Sequence, residues 1–236
     1  MQNKRFLFLS LLLVIGVLLA ACSGGAASEG VTDPASEVVV NGDFQLDPAN
    51  TAGDAVGYLY EGLVSMQEGN VTGALAESFT VSEDGLEYIF NLRSGVTFHD
   101  GAALNADAVV DNFNRWYDPK DANRGTGDFS AWASNFGGFK GETAEDGKAK
   151  SQYDGVEKVN DFTVLVHLNT PDPAFLIKLT APAFSIVSPN SFAGGDGGSG
   201  PYQFSAASDS SLTLKPFAAY WDSAAIPTES MEVPLK

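Results

Sequence analysis

The chain has 236 residues, 44% of them hydrophobic and including 16 Phe and 3 Trp, enough for one or two cored domains and too apolar for a disordered chain. Against 13 Lys and Arg stand 30 Asp and Glu, a formal net charge of −17, which argues against nucleic acid as a partner because its phosphates would be repelled. One Cys excludes an internal disulfide, and two His beside it leave no zinc set.

Lys4 and Arg5 precede an apolar run, Phe6 to Ala20, broken only by Ser10 and Gly16. That run is short for a bilayer span and reads as a signal peptide over 1–21. Leu19-Ala20-Ala21-Cys22 resembles the bacterial lipobox, which implies lipidation of Cys22 and anchorage to a membrane surface. Residues 22–36, rich in Ser, Gly, Ala and Glu, read as a flexible tether.

Val38-Val39-Val40 predicts a buried strand ending at Asn41-Gly42. Val56, Leu59, Tyr60 and Leu63 form a helical stripe within 51–66, weakened by Gly57 and Gly62. Phe79 and Val81, then Leu86, Tyr88, Phe90 and Leu92, alternate with mostly polar residues around Glu83-Asp84-Gly85, a β-hairpin pattern. Val96 and Phe98 suggest another short strand. Asn105 is a plausible N-cap for a helix with the stripe Val109, Val110, Phe113, Trp116 and Tyr117, stopped by Asp118-Pro119. Residues 118–155 read as a long polar loop with apolar islands at 129–132 and 136–139. A strand is expected over 162–168, a short helix over 173–179 and an apolar strand over 184–187. The stretch 194–200, GGDGGSG, reads as a flexible connector. A hairpin over 202–204 and 212–214 and a terminal strand over 231–235 complete a mixed α/β (α+β) class.

His99-Asp100 is the one catalytic-looking pair, but neighbours on a strand point to opposite faces, and Asp100-Gly101 is turn chemistry. A secreted hydrolase using these two residues is the weakest alternative. His167 reads as a sheet-face residue. Asp118, Asp121, Asn123 and Asp128 hint at a calcium loop, yet the twelfth position from Asp121 is Trp132 where Glu is needed. The glycine tract 194–200 lacks the Lys-Ser/Thr of a phosphate loop. Asn70-Val71-Thr72 matches a glycosylation sequon of the kind that arises by chance. No metal or cofactor is expected.

The stretch 75–101, with Leu75-Ala76-Glu77-Ser78, Asp84 to Arg93 and Gly95 to Gly101, resembles the signature region of the family 5 extracellular solute-binding proteins, the peptide and nickel receptors of ABC importers. Leu46-Asp47-Pro48, Tyr60 to Val64, 136–142, 156–179, Ser199-Gly200-Pro201-Tyr202 and Tyr220-Trp221 extend the likeness, while Phe217-Ala218 departs from the family's Asn-Pro. The resemblance implies a type II periplasmic-binding-protein-like fold, with 37–57 plus 188–236 as an incomplete lobe one, 58–187 as an inserted subdomain, and the second lobe absent. It also implies an extracytoplasmic, lipid-anchored receptor passing a small solute, an oligopeptide by preference, to a membrane permease, with no catalysis. Phe44 and Gln45 after the first strand, Trp132 on the long loop and Ser199 in the Gly-Pro segment are the candidate ligand contacts. Two alternatives stand beside it: a truncated or split-receptor fragment without ligand binding of its own, and a surface lipoprotein that binds a protein partner.

Overall fold

The computed structural model describes residues 46–48, 55–125, 127 and 129–234. The strand expected at 38–40, Cys22, Phe44 and Gln45 lie outside these residues.

The helix expected over 51–66 is much shorter. Helix α1 covers Val56–Leu59, and Tyr60 is already extended. Strand β1, Val64–Gln67, then pairs antiparallel with β2, Asn70–Gly73. Between them Glu68 and Gly69 adopt φ of 50° and 81°, the left-handed pair that closes a two-residue hairpin. Tertiary pairing and this turn override a helical stripe already weakened by two glycines.

Strands β3 (Ala76–Val81) and β4 (Glu87–Leu92) form the expected hairpin, and β5 (Tyr153–Asn160) and β6 (Thr163–Leu168) extend it into a four-stranded antiparallel sheet of order β3-β4-β6-β5. Tyr88, Phe90 and Leu92 share one buried face with Val164, Val166 and Leu168, as the alternation requires. Helix α2, Ala106–Tyr117, covers that face. Asn105 caps it, accepting from the Ala108 N–H at 2.9 Å, and Val109, Phe113 and Trp116 enter the core. Val96 and Phe98 are buried, but only an isolated Thr97–Ala103 bridge forms where a strand was expected.

The long loop expected over 118–155 contains a helix. Helix α3, Ser130–Phe136, ends at Gly137 in the left-handed conformation that favours glycine at this position. Trp132 therefore does not ride a loop. It is 1% exposed, with its ring centroid 4.5 Å from Phe136 and 4.9 Å from Tyr153 in a cluster that also holds Phe113, Trp116 and Phe184. In that position the ring offers no free face to a ligand. Helix α4, Phe175–Lys178, matches the short helix expected there. The apolar segment 184–187 is not a strand: Pro182–Phe184 is a 3-10 turn, and Ile186 and Val187 follow it in irregular backbone.

A second core gathers Leu46, Val56, Leu59 and Tyr60 with Val187, Leu212, Leu214 and Val233. Its sheet is β7 (Tyr202–Ala207), β8 (Ser211–Pro216) and β9 (Met231–Pro234), in that order and antiparallel throughout. Two polar links join the cores. Buried Asn112 of α2 donates to the Val187 carbonyl at 2.7 Å and accepts from the Val187 N–H at 3.1 Å. Arg115, also of α2 and 1% exposed, pairs with Asp47 and lies 4.4 Å over the Phe192 ring. Among the described residues no helix is long and apolar enough to cross a membrane.

Candidate functional site: a cleft along strand β1

Where α1 gives way to β1, the chain passes between the two cores and a cleft of about 410 Å³ opens beside it. Its lining includes all four residues of β1, Val64 to Gln67, together with Pro182, Ser185, Pro201, Tyr220 and Trp221. Among the described residues β1 pairs only with β2, so its other edge is left without a strand partner.

Glu61 sits in the lining and organises the wall. Tyr60, just before it, turns the other way into the second core, where its hydroxyl donates to the Leu46 carbonyl at 2.5 Å. Extended backbone at Tyr60 sends successive side chains to opposite sides. The Glu61 carboxylate accepts from Tyr220 Oη at 2.8 Å on Oε1, from Ser199 Oγ at 3.2 Å on Oε2, and from Trp221 Nε1 at 3.0 Å on Oε2 and 3.3 Å on Oε1. Burial raises the Glu61 pKa, and these three donors and the nearby His99 pull the other way. Burial, and then the neighbouring Glu61 charge, raise the Tyr220 hydroxyl. Arg93 completes the wall: its Nε donates to the Ala74 carbonyl at 2.6 Å while its guanidinium lies 4.2 Å over the Trp221 ring. Trp221 is thus fixed at its edge by Glu61 and on its face by Arg93.

Ser199 is 1% exposed and reaches the cleft only through Glu61. It belongs to the glycine tract 194–200, in which 197–200 are buried and Asp196, Gly198 and Gly200 are hydrogen-bonded, as a flexible connector would not be. Gly198 and Gly200 lie so close to α1 that an added Cβ would collide with the Leu59 and Tyr58 carbonyls. His99 and Asp100 do not act as a pair. Asp100 closes its own turn, accepting from the Ala102 N–H at 2.9 Å, whereas His99 faces Asp196, 97 residues further on, at 2.6 Å. With its side chain 1% exposed and both ring nitrogens engaged, His99 presents nothing to a substrate. His167 lies on the outer face of the sheet, 3.9 Å from Glu87 and 3.6 Å from Glu157. No group of His, Cys, Asp and Glu able to hold a metal ion occurs among the described residues.

Glu61, Arg93, Tyr220 and Trp221 were not singled out as site residues by sequence reasoning. The available signal was an acid enclosed by apolar neighbours in Leu59-Tyr60-Glu61-Gly62-Leu63, a pattern that asks for buried donors.

The mixed α/β arrangement is that of the type II periplasmic binding proteins. The structure of HbpA2 from Haemophilus parasuis superposes with a TM-score of 0.67 at 28% identity, over 82% of this chain and 41% of that one. The model for bacterial extracellular solute-binding proteins, family 5 Middle, matches residues 70–230, more than half of the sequence, and the chain belongs to that family. Among curated relatives, the glutathione-binding protein GsiB of Salmonella typhimurium is 34% identical over 198 residues, spanning 78% of this chain and 35% of its own length. Di/tripeptide-binding protein 4 of Pseudomonas aeruginosa is 34% identical over 191 residues, 75% of this chain and 33% of its own length. The chain thus spans about a third of the length of the curated relatives it matches.

Proposed function

We propose that these residues form the first wall of a solute-binding site in a receptor for an ABC importer, and that the solute is a short peptide. The observation that carries this reading is the course of the cleft: its lining includes all four residues of β1, a strand that among the described residues pairs along one edge only. An extended peptide adds to such an edge by main-chain hydrogen bonds, independently of its side chains. Trp221, Tyr220 and Met66 supply apolar contact around that edge. The relatives named for glutathione, dipeptides and tripeptides support the same class of solute.

The proposed domain division is 37–57 plus 188–236 as part of lobe one and 58–187 as a subdomain inserted into it; the presence of two cores supports it, although Leu59, Tyr60 and Val187 of the second core fall inside 58–187. Cys22 is the lipid anchor in this reading, supported by Leu19-Ala20-Ala21 before it, and holds the receptor outside the membrane near its permease. Ser199 acts behind the cleft by fixing Glu61. Phe44 and Gln45 remain candidate contacts on sequence grounds, and Trp132 is assigned to the core. Calorimetric titration of the chain with reduced glutathione and with trialanine tests the reading. Saturable binding weakened at least tenfold by Trp221→Ala supports it. No binding of either tripeptide, or binding untouched by Trp221→Ala, contradicts it.

A further inference from the structure

Two carboxylates line the cleft, Glu61 and Asp222, and no Lys, Arg or His is among the described residues of its lining. The two acids differ in remaining hydrogen-bonding capacity. Both oxygens of Glu61 are engaged within the wall: Oε1 accepts from Tyr220 and Trp221, and Oε2 from Ser199 and Trp221. Asp222, half-buried directly after Trp221, accepts the Ala224 N–H on Oδ1 at 3.2 Å, as the cap of the 3-10 turn Ser223–Ala225. Among the described residues Asp222 makes no ion pair, and its Oδ2 accepts no hydrogen bond. Its charge is felt at Tyr220, whose hydroxyl is raised by burial first, then by Glu61, and also by Asp222. Arg93 lies over the face of Trp221, outside the lining, while Glu61 holds the edge of the same ring. Those two opposite charges offset each other around Trp221 and leave the charge of Asp222 without a counterpart.

A protonated amine fits this corner of the cleft. Asp222 Oδ2 offers it a charged acceptor, and the adjacent Tyr220 and Trp221 rings, 5.4 Å apart between centroids, supply the aromatic surroundings in which a cation is favoured. An anionic group in the same place would give up water and meet a like charge. We propose that Asp222 determines the specificity of the cleft: it anchors the protonated amine of a short peptide and so selects solutes that carry a free amino group over those blocked or anionic at that end. The inference rests on the peptide reading above and names the part of the peptide that the wall recognises. Ser65, Gln67, Thr180 and Ser185, also in the lining, are neutral and suit amide groups of any sequence, so the preference for charge falls to Asp222.

Calorimetric titration of the full chain with trialanine, N-acetyl-trialanine, trialanine amide and N-acetyl-Ala-Lys-Ala tests it. Trialanine is expected to bind, and acetylation, which removes the amine charge, to weaken binding by about tenfold or more, the effect of losing one hydrogen bond to a charged group. Amidation, which removes the charge at the other end, is expected to leave affinity equal or higher. In Asp222→Asn, which keeps an oxygen for the Ala224 N–H, the gap between free and acetylated trialanine closes to about threefold or less. Asp222→Ser also keeps such an oxygen and repeats the comparison if the Asn variant fails to fold. N-acetyl-Ala-Lys-Ala separates the two sources of the amine: binding regained places a side-chain amine at Asp222, and binding not regained reserves the site for the amino terminus. A parent chain that binds free and acetylated trialanine within about threefold of each other overturns the inference and leaves the peptide reading standing. So does a gap that persists undiminished in Asp222→Asn. Binding of none of these peptides overturns both.

Discussion

Replacing Glu61 with Ala removes one acceptor group and orphans three donors. Ser199 is 1% exposed and has little access to water once Glu61 is gone, whereas Tyr220 and Trp221 are half-buried and can recruit some. An unsatisfied buried donor costs about 1–3 kcal/mol, so one full and two partial losses come to about 3 kcal/mol. In a domain of this size each kcal/mol lowers the unfolding midpoint by about 2–4 °C, which puts the expected drop at about 6–12 °C by scanning calorimetry. The cycle with Tyr220→Phe sharpens the measurement. Alone, Tyr220→Phe removes one donor and costs about 1 kcal/mol, but on the Glu61→Ala background its acceptor is already missing and the further cost falls to about zero. A Glu61→Ala protein that melts within about 1 °C of the parent, or strict additivity in the cycle, would refute the idea that this carboxylate ties the wall together.

The raised pKa of Glu61 gives a pH test of the same group. Because the fold favours its protonated form, its contribution to stability is full below the ordinary carboxylate value of about 4.5 and declines as pH rises through the folded value. Glu61→Gln cannot titrate, so the stability difference between the Gln variant and the parent must shift in favour of Gln as pH rises above about 4.5, as read by urea unfolding at a series of pH values. Asp47→Ala strands the Arg115 charge between Phe129 and Phe192 and is expected to cost about 3–5 kcal/mol by the same assay. Trp132→Ala empties the centre of the aromatic cluster and is expected to cost about 3–5 kcal/mol, with Trp132→Phe much milder. Tripeptide affinity unchanged in Trp132→Phe is the outcome that fits a core position.

Local chemistry was legible wherever local signals agreed. The hairpin β3–β4 has alternation on both sides of Asp84-Gly85, and α2 has Asn105 before a clean stripe, so pattern, turn and cap pointed the same way. Strand β5 was missed because most of its residues are exposed or half-buried at a sheet edge, which erases the alternation. Helix α3 was missed because its seven residues sit in a glycine-rich, polar surrounding and owe their helix to burial of Trp132 and Phe136. The β1–β2 hairpin was masked by apolar residues that happen to fall at helical spacing.

The site was less legible than the fold, because its bonds are long-range. His99 has an Asp beside it in sequence and takes its partner from a glycine tract 97 residues away. Glu61 lies in a recognisable motif, yet its three donors come from residues 199, 220 and 221, at separations of 138 residues and more. Alternation and spacing report on neighbours along one element and carry no information about such pairs. Glycines 198 and 200 were similarly read as freedom, whereas in the fold they mark close packing against α1.

In the proposed function, the edge of β1 that has no strand partner among the described residues forms a peptide-binding surface with the Glu61 wall. Amide chemical-shift mapping of the 15N-labelled chain, titrated with trialanine and with reduced glutathione, tests it most directly. Saturable shifts are expected, concentrated at Val64 to Gln67 and at the Trp221 indole N–H and shared by both tripeptides, because a backbone edge reads the main chain. Shifts that cluster elsewhere, such as the outer sheet face around His167, or an unperturbed β1 at saturating tripeptide, would contradict it.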